Sequence, residues 1–280
     1  MIDVIQVRKL GVGEVATMVE WAAAEGWNPG LHDAATFYAA DPDGFLASLA
    51  GDDPAAVVSL VRFGDELAFL GLYICRPDLR EQGYGWRVWQ AAIERAGERT
   101  IGLDGVPDQQ ANYLRSGFDL AWQNARYTGR GGGDLSAGLV PLNEVPLSAL
   151  VTFDRAIGGV DRRAFLEAWG GQPESIGYAR LGPDGALRGW GMVRPCRVGW
   201  KIGPLLANDA DTGALLLDAL RATVGDAEIS LDLPVPNQAA VAAATARGME
   251  PSFFTARMYR GTPPHVDLDR LWGVASLELG

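Results

Sequence analysis

The chain has 280 residues, 48% of them hydrophobic, and a formal net charge of −11; that length exceeds a usual single domain of about 100–150 residues, so two domains are expected. The acidity disfavours nucleic acid and anionic lipid as partners and suits cationic ones. Apolar runs stop short of the roughly 20 residues a membrane span needs, and no secretory leader is visible after Met1, so the sequence reads as a cytoplasmic protein.

Two cysteines, Cys75 and Cys196, lie in apolar surroundings and read as reduced thiols. His32 and His265 are the two histidines and there is no Cys-x-x-Cys, so no metal site is expected.

In chain order, the pattern predicts a strand at Val4–Gln6, helices at Gly13–Ala24 and around Leu31–Tyr38, and a third short helix, Phe45–Leu49, opened by Asp41-Pro42-Asp43-Gly44. A hairpin follows, Ala55–Arg62 and Leu67–Ile74, joined by Phe63-Gly64-Asp65-Glu66. Next come a loop, Arg80–Gly85, a helix Gly85–Arg95, a strand Thr100–Leu103, a helix Gln109–Ser116 and a strand Ala121–Tyr127. The cluster Thr128-Gly129-Arg130-Gly131-Gly132-Gly133-Asp134 suits neither a helix nor a strand interior. It divides the chain into an N-terminal domain, 1–129, a linker, 130–137, and a C-terminal domain, 138–280. The second half has helices at Leu147–Ile157 and Arg162–Trp169, strands at Ser175–Leu181, Leu187–Pro195 and Gly199–Pro204, and a helix at Asp211–Val224. The fold class is α+β, twice, each half a mostly antiparallel mixed sheet flanked by helices.

The halves share one supersecondary unit. Ile101-Gly102-Leu103-Asp104 and Ile229-Ser230-Leu231-Asp232 each lead through a Pro-containing turn and a short helix to a Gly-Phe or Gly-Met pair, Gly117-Phe118 and Gly248-Met249. Arg126 and Arg257 each stand nine residues beyond the glycine of that pair.

The stretch that carries chemistry runs from Leu72 to Trp86. A strand ends near Pro77, and Arg80-Glu81-Gln82-Gly83-Tyr84-Gly85 leads into an amphipathic helix with Trp86, Val88, Trp89, Ala92 and Ile93 at its apolar positions. Glycines let successive N–H groups form a nest, the helix N-terminus adds about half a positive charge, and Arg80 can hold phosphate in a bidentate grip. A pyrophosphate suits this loop. The spacing is not that of a dinucleotide-binding Gly-x-Gly-x-x-Gly, and the P-loop Lys-Ser/Thr is absent.

This segment resembles motif A of the GNAT superfamily of N-acetyltransferases, whose Gln/Arg-x-x-Gly-x-Gly/Ala loop holds the pyrophosphate of acetyl-CoA. Asn112-Tyr113-Leu114-Arg115-Ser116-Gly117-Phe118 matches the family's later helix, with Tyr four residues before Gly-Phe. The layout of a competent unit followed by a divergent one resembles a bacterial two-domain GNAT group, as do the strings Trp27-Asn28-Pro29-Gly30, Arg257-Met258-Tyr259-Arg260-Gly261 and Leu277-Glu278-Leu279-Gly280. The resemblance implies acetyl-CoA as co-substrate and direct transfer to an amine. Leu72, Tyr73 and Ile74 would pair with the pantetheine arm. Arg80, Glu81, Gln82, Gly83, Tyr84, Gly85, Trp86 and Asn112 complete the cofactor-binding set.

Tyr113 is the candidate donor to the departing thiolate, since a phenol of pKa about 10 keeps its proton at neutral pH; the alternative is a packing aromatic. Trp27 and Asn28 lie where the family builds its acceptor pocket, and a Trp face attracts a cation, though core packing suits Trp27 equally. No base is assigned: the strand Leu67–Ile74 lacks a carboxylate, and Glu66, Glu25, Asp33, His32 and Asp104 all stay open. No histidine lies near Cys75 in sequence, which argues against a nucleophile there.

At the corresponding place in the second half, Leu205-Leu206-Ala207-Asn208-Asp209-Ala210-Asp211-Thr212-Gly213-Ala214 has one glycine, no cation and two aspartates, and Ala244 stands where Tyr113 would. That half is expected to support the fold or to line the acceptor cavity. Arg194 and Arg197 read as surface arginines, with a carboxylate-bearing acceptor as the other possibility. The expected activity is N-acetylation of a small-molecule amine; a non-catalytic acyl-CoA sensor and a protein acetyltransferase are the alternatives.

Overall fold

A computed structural model of the protein describes residues 5–135 and 137–280. The first unit runs β1 (Val7–Lys9), α1 (Val12–Ala24), α2 (Asp33–Ala40), β2 (Phe45–Ala50), β3 (Asp53–Phe63), β4 (Leu67–Cys75), α3 (Tyr84–Ala96), β5 (Thr100–Gly105), α4 (Gln110–Arg115) and β6 (Asp119–Arg130). The second runs β7 (Val140–Pro141), α5 (Leu147–Gly158), α6 (Arg163–Gly170), β8 (Ile176–Leu181), β9 (Leu187–Pro195), β10 (Trp200–Ala207), α7 (Ala210–Thr223), β11 (Glu228–Pro234), α8 (Gln238–Ala246), β12 (Glu250–Arg260) and β13 (Leu271–Gly273).

Most expected elements are found within a few residues of their predicted bounds. The expected helix at Phe45–Leu49 is instead strand β2. Its apolar run pairs on both sides, Phe45 with Ser59 of β3 and Leu46 with Lys9 of β1, and this tertiary pairing overrides the helical preference of Leu and Ala. Of the expected strand Val4–Gln6, Val4 lies outside the described residues, and the first strand begins at Val7.

All strands join one sheet in the order β1-β2-β3-β4-β5-β12-β6-β11-β10-β9-β8-β7, with β13 paired to β10. Two pairs are parallel, β4 with β5 and β10 with β11; the other neighbours are antiparallel. The two units exchange their last strands. β12 of the second unit pairs with β5 of the first, and β6 of the first pairs with β11 of the second.

The sheet therefore does not part at the glycine cluster. β6 continues through Gly129 and Arg130, because these glycines let the chain run flush against the second unit. A Cβ on Gly129 would lie 2.9 Å from the Met249 side chain, and one on Gly131 would meet the Gly225 carbonyl. Gly131 and Gly132 donate to the carbonyls of Ala227 and Arg221.

One apolar core spans both units and holds Val15, Phe37 and Phe69 together with Phe165, Trp169 and Trp190. Separate cores lie beneath α3 in the first unit and beneath α7 and α8 in the second. No helix among the described residues is long and apolar enough to cross a membrane.

Candidate active site

Strand β4 carries an extra residue relative to β3. Between the pairs Val57 with Ile74 and Ser59 with Gly71 the register shifts, and Leu72 sits at φ 46° in the left-handed region that β-branched and bulky residues avoid. This bulge lies where β4 leaves β5: their parallel ladder ends at Leu70 with Leu103, while β5 runs on to Gly105 paired with β12 along its other edge. The β4 backbone from Gly71 onward thus faces an open wedge. The wedge belongs to a cavity of about 720 Å³ lined by β4 residues Leu70–Cys75, β5 residues Leu103 and Asp104, and Tyr113.

At the outer end of the wedge, α3 begins at Gly83, which adopts φ 91°. No side chain caps this helix and no acid stands in its first turn. Its first N–H groups and its positive dipole end are well arranged for an anion. Gly85 is required for a different reason: the Tyr73 hydroxyl packs 2.9 Å from where a Cβ would stand.

Tyr113 lies on α4 with its ring stacked on Trp89, centroids 5.6 Å apart, and pressed against Gly105, where a Cβ would approach the ring to 2.7 Å. Burial raises its phenol above the ordinary range, and burial pushes that of Tyr73 up to about 12. Both hydroxyls therefore keep their protons at neutral pH. The Cys75 thiol is also pushed up by burial, which opposes a thiolate nucleophile.

The second unit closes the far side of this cavity with Ser252–Thr255, Leu277 and Glu278. The turn Ser276–Gly280 crosses β4 at Gly71, where the absence of a Cβ lets the Glu278 carbonyl lie against the strand. Ser276 Oγ organises the turn: it accepts from the N–H groups of Glu278 and Leu279 and donates to Glu278 Oε2 at 2.6 Å.

The equivalent wedge of the second unit is filled by its own chain. β13 pairs with β10 at Leu205 and Leu206, and the following Val274 N–H donates to Asp232 of β11. Trp272 is fully buried there and packs on Gly213 of α7. The N-terminus of α7 is capped by Asp209, whose carboxylate accepts from the Thr212 N–H. β13 occupies the edge a pantetheine arm would need, and the Asp209 and Asp211 carboxylates at this helix end repel a phosphate.

Family models describing the acetyltransferase (GNAT) family and an acetyltransferase (GNAT) domain match residues 14–118 and 150–273. The holothin acyltransferase of Pseudoalteromonas sp. (strain SANK 73390) is 33% identical over 264 residues, which cover 93% of this chain and 90% of that protein. The chain belongs to the GNAT family of acetyltransferases. A crystal structure of a putative acetyltransferase from Pyrococcus horikoshii has the same fold with a TM-score of 0.84 and 20% identity, covering 100% of this chain and 97% of that one. A tandem GNAT protein from the clavulanic acid biosynthesis pathway matches with a TM-score of 0.62 and 13% identity, over 91% of this chain and 98% of that one. The protein is a tandem GNAT acyltransferase with two GNAT domains.

Within this GNAT framework the predicted residues separate into groups. Leu72, Tyr73, Ile74, Arg80, Tyr113 and Trp27 line one cavity. Glu81, Gln82, Gly83, Tyr84, Gly85 and Trp86 form the α3 entrance outside it. Trp86 is 59% exposed, so it does not belong to the buried face of α3 that Val88, Trp89 and Ala92 make. The Arg80 guanidinium holds Glu25 at 2.8 Å and the Cys75 carbonyl at 3.2 Å, which ties the loop to the end of α1. Asn112 bonds Gln109 on the surface of α4. Asn28 joins the units: its side chain donates to the Val198 carbonyl and accepts from the Val198 N–H, both at 2.9 Å, and it lies off the cavity.

Arg194, read as a surface side chain, is fully buried. It grips Asp33 at 2.9 and 3.2 Å and stacks 4.4 Å over Trp169, because the two units meet on top of β9. Arg197 is exposed and pairs with Glu20. Among the carboxylates left open as bases, Asp33 is committed to Arg194 and Asp104 to Arg257, Glu25 pairs with Arg80, and Glu66 is exposed on the β3–β4 turn. His32 pairs with Glu174. The cavity wall from the second unit, Phe253 and Phe254 of the exchanged β12 and Leu277 and Glu278 of the turn beside Gly71, is not legible in local patterns, since it depends on contacts between distant parts of the chain. Among the described residues no group of three or more His, Cys, Asp or Glu side chains is placed to hold a metal.

Proposed function

We propose that this acyltransferase moves an acetyl group from acetyl-CoA to the primary amine of a small molecule, in the first unit only. The observation that carries the reading is the wedge between β4 and β5, with a bulge at Leu72 at its apex and the uncapped N-terminus of α3 at its mouth. The free edge of β4 can pair with the amides of a pantetheine arm as an added strand would, and the α3 N-terminus can take the diphosphate. N–H groups at the bulge then face the thioester carbonyl, and Tyr113 donates a proton to the sulfur that leaves.

The acceptor side supports a small molecule over a protein lysine. Trp27, Phe253, Phe254, Leu277 and Glu278 wall the cavity from two units, so the amine enters a pocket and not an open groove. Aromatic faces and a carboxylate in this wall suit a cationic acceptor.

Calorimetry with acetyl-CoA, followed by release of the CoA thiol with a panel of primary alkyl and aryl amines, amino acids and holothin, tests the reading. Saturable one-to-one binding and amine-dependent thiol release are expected. Binding without turnover on any amine would turn the reading to a sensor, and no binding would remove it.

A further inference from the structure

Among the described residues, six carboxylates have their side chains nearly or wholly out of solvent, and five of them are locked to arginines: Asp33, Asp41, Asp104, Asp154 and Asp232. Glu278 is different. It is 5% exposed, forms no ion pair among the described residues, and has one side-chain partner, the Ser276 hydroxyl on Oε2. The cations near it, Arg126, Arg194 and Lys201, are held by other partners and none bonds its carboxylate; a buried carboxylate in a cavity wall with no cation bonded to it points to a task of its own. Glu278 lines the cavity and lies against β4 at Gly71, one residue before the bulge that begins the open edge.

We infer that Glu278 is the general base of the transfer, a catalytic residue delivered to the first unit's cleft by the second unit. This rests on the reading of the cleft as an acetyl-CoA site. The amine nitrogen forms a bond to the thioester carbonyl carbon, and the carbon–sulfur bond breaks with its electron pair going to sulfur. One N–H proton passes to the Glu278 carboxylate, directly or through a water, and Tyr113 protonates the thiolate; solvent returns the proton from Glu278 to Tyr113. The Ser276 hydroxyl fixes one carboxylate oxygen and leaves the other for the amine. The strand that supplies many enzymes' base has none here, since Leu67–Cys75 holds no acid. The charged groups around Glu278 are Arg126 on β6, Arg194 on β9 and Lys201 on β10, with Asp232 and Asp33 as their own partners.

The test is Glu278→Gln in the full chain, which keeps the acceptor for Ser276, with Glu278→Ala beside it. Acetyl-CoA binding by calorimetry should stay within about 3-fold of the native chain. Thiol release with the best amine of the panel should fall roughly 100-fold or more, and the slow hydrolysis of acetyl-CoA in water alone should fall with it. Formate should restore part of the activity of Glu278→Ala but not of Glu278→Gln. Turnover and hydrolysis within about 3-fold of native for Glu278→Gln would overturn the assignment while leaving the cleft intact. A native chain that binds no acetyl-CoA would overturn the reading of the cleft and the base with it.

Discussion

Arg257 on β12 and Asp104 on β5 stand directly opposite each other in the sheet and share two hydrogen bonds, of 2.9 and 2.7 Å, while Arg126 on β6 and Asp232 on β11 make the same pair at 2.6 and 2.8 Å. These are the repeated Leu-Asp and Arg positions of the two half-sequences. Each arginine is bonded to the aspartate of the other unit. The relation is reciprocal because the final strands have changed places.

Loss of one partner leaves the other charge buried and alone. Asp104→Ala should cost about 3–5 kcal/mol of stability by urea unfolding. The double change Asp104→Leu with Arg257→Met should recover most of that loss, since neither charge then needs a partner. A single-variant loss under about 1 kcal/mol would show that the pair does not hold the strands together.

The same pair in the second unit predicts an acid dependence. Burial raises the Asp232 carboxyl, but the charges of Arg126 and Lys201 outweigh it and hold the group at about 2, below its ordinary 3.8. A carboxyl depressed in the folded state adds stability above its unfolded value, and this is lost as pH falls from about 4 towards about 2. The contribution is on the order of 2 kcal/mol. Urea midpoints across that range should fall less steeply for Asp232→Asn, from a lower starting stability.

Gly83→Glu places an acid at the start of α3 and a side chain at φ 91°. Acetyl-CoA binding should weaken at least 100-fold by calorimetry, since each 1.4 kcal/mol of repulsion and lost contact is tenfold. Gly213→Glu, the sequence counterpart, is no neutral comparison because its side chain would strike Trp272; Gly170→Glu, exposed and without near neighbours, serves instead. Unchanged affinity in Gly83→Glu would move the phosphates elsewhere.

Tyr113→Phe should lower turnover roughly 10²-fold with acetyl-CoA affinity nearly unchanged. Gly105→Ala should imitate it in part, because the added methyl displaces the Tyr113 ring. If both variants turn over at the native rate, Tyr113 is a packing residue on Trp89.

Much of this site could be read locally. The nest at Gly83 and Gly85 and the helix behind it are encoded within a few residues, and so are the strand Leu72–Ile74 and the position of Tyr113. What escaped depends on contacts between residues far apart in the chain. Arg194 looks like a surface arginine until Asp33, 161 positions away, is laid against it. Phe45–Ala50 becomes a strand only because β1 and β3 flank it. The short β13 carries no period that distinguishes it from loop, yet it decides that the second wedge stays shut. The string Leu277-Glu278-Leu279-Gly280 stood out in the sequence, but its place beside Gly71 follows from the whole fold.

The exchange of β6 and β12 also fixes the order of events on the ribosome. The segment that completes the first unit's sheet is residues 250–260, so the N-terminal half emerges with β5 lacking its neighbour until that segment has been made. Expressed alone, residues 1–129 would expose that bare edge to other chains. The two halves share one sheet, and its first part is completed only once β12 has been made.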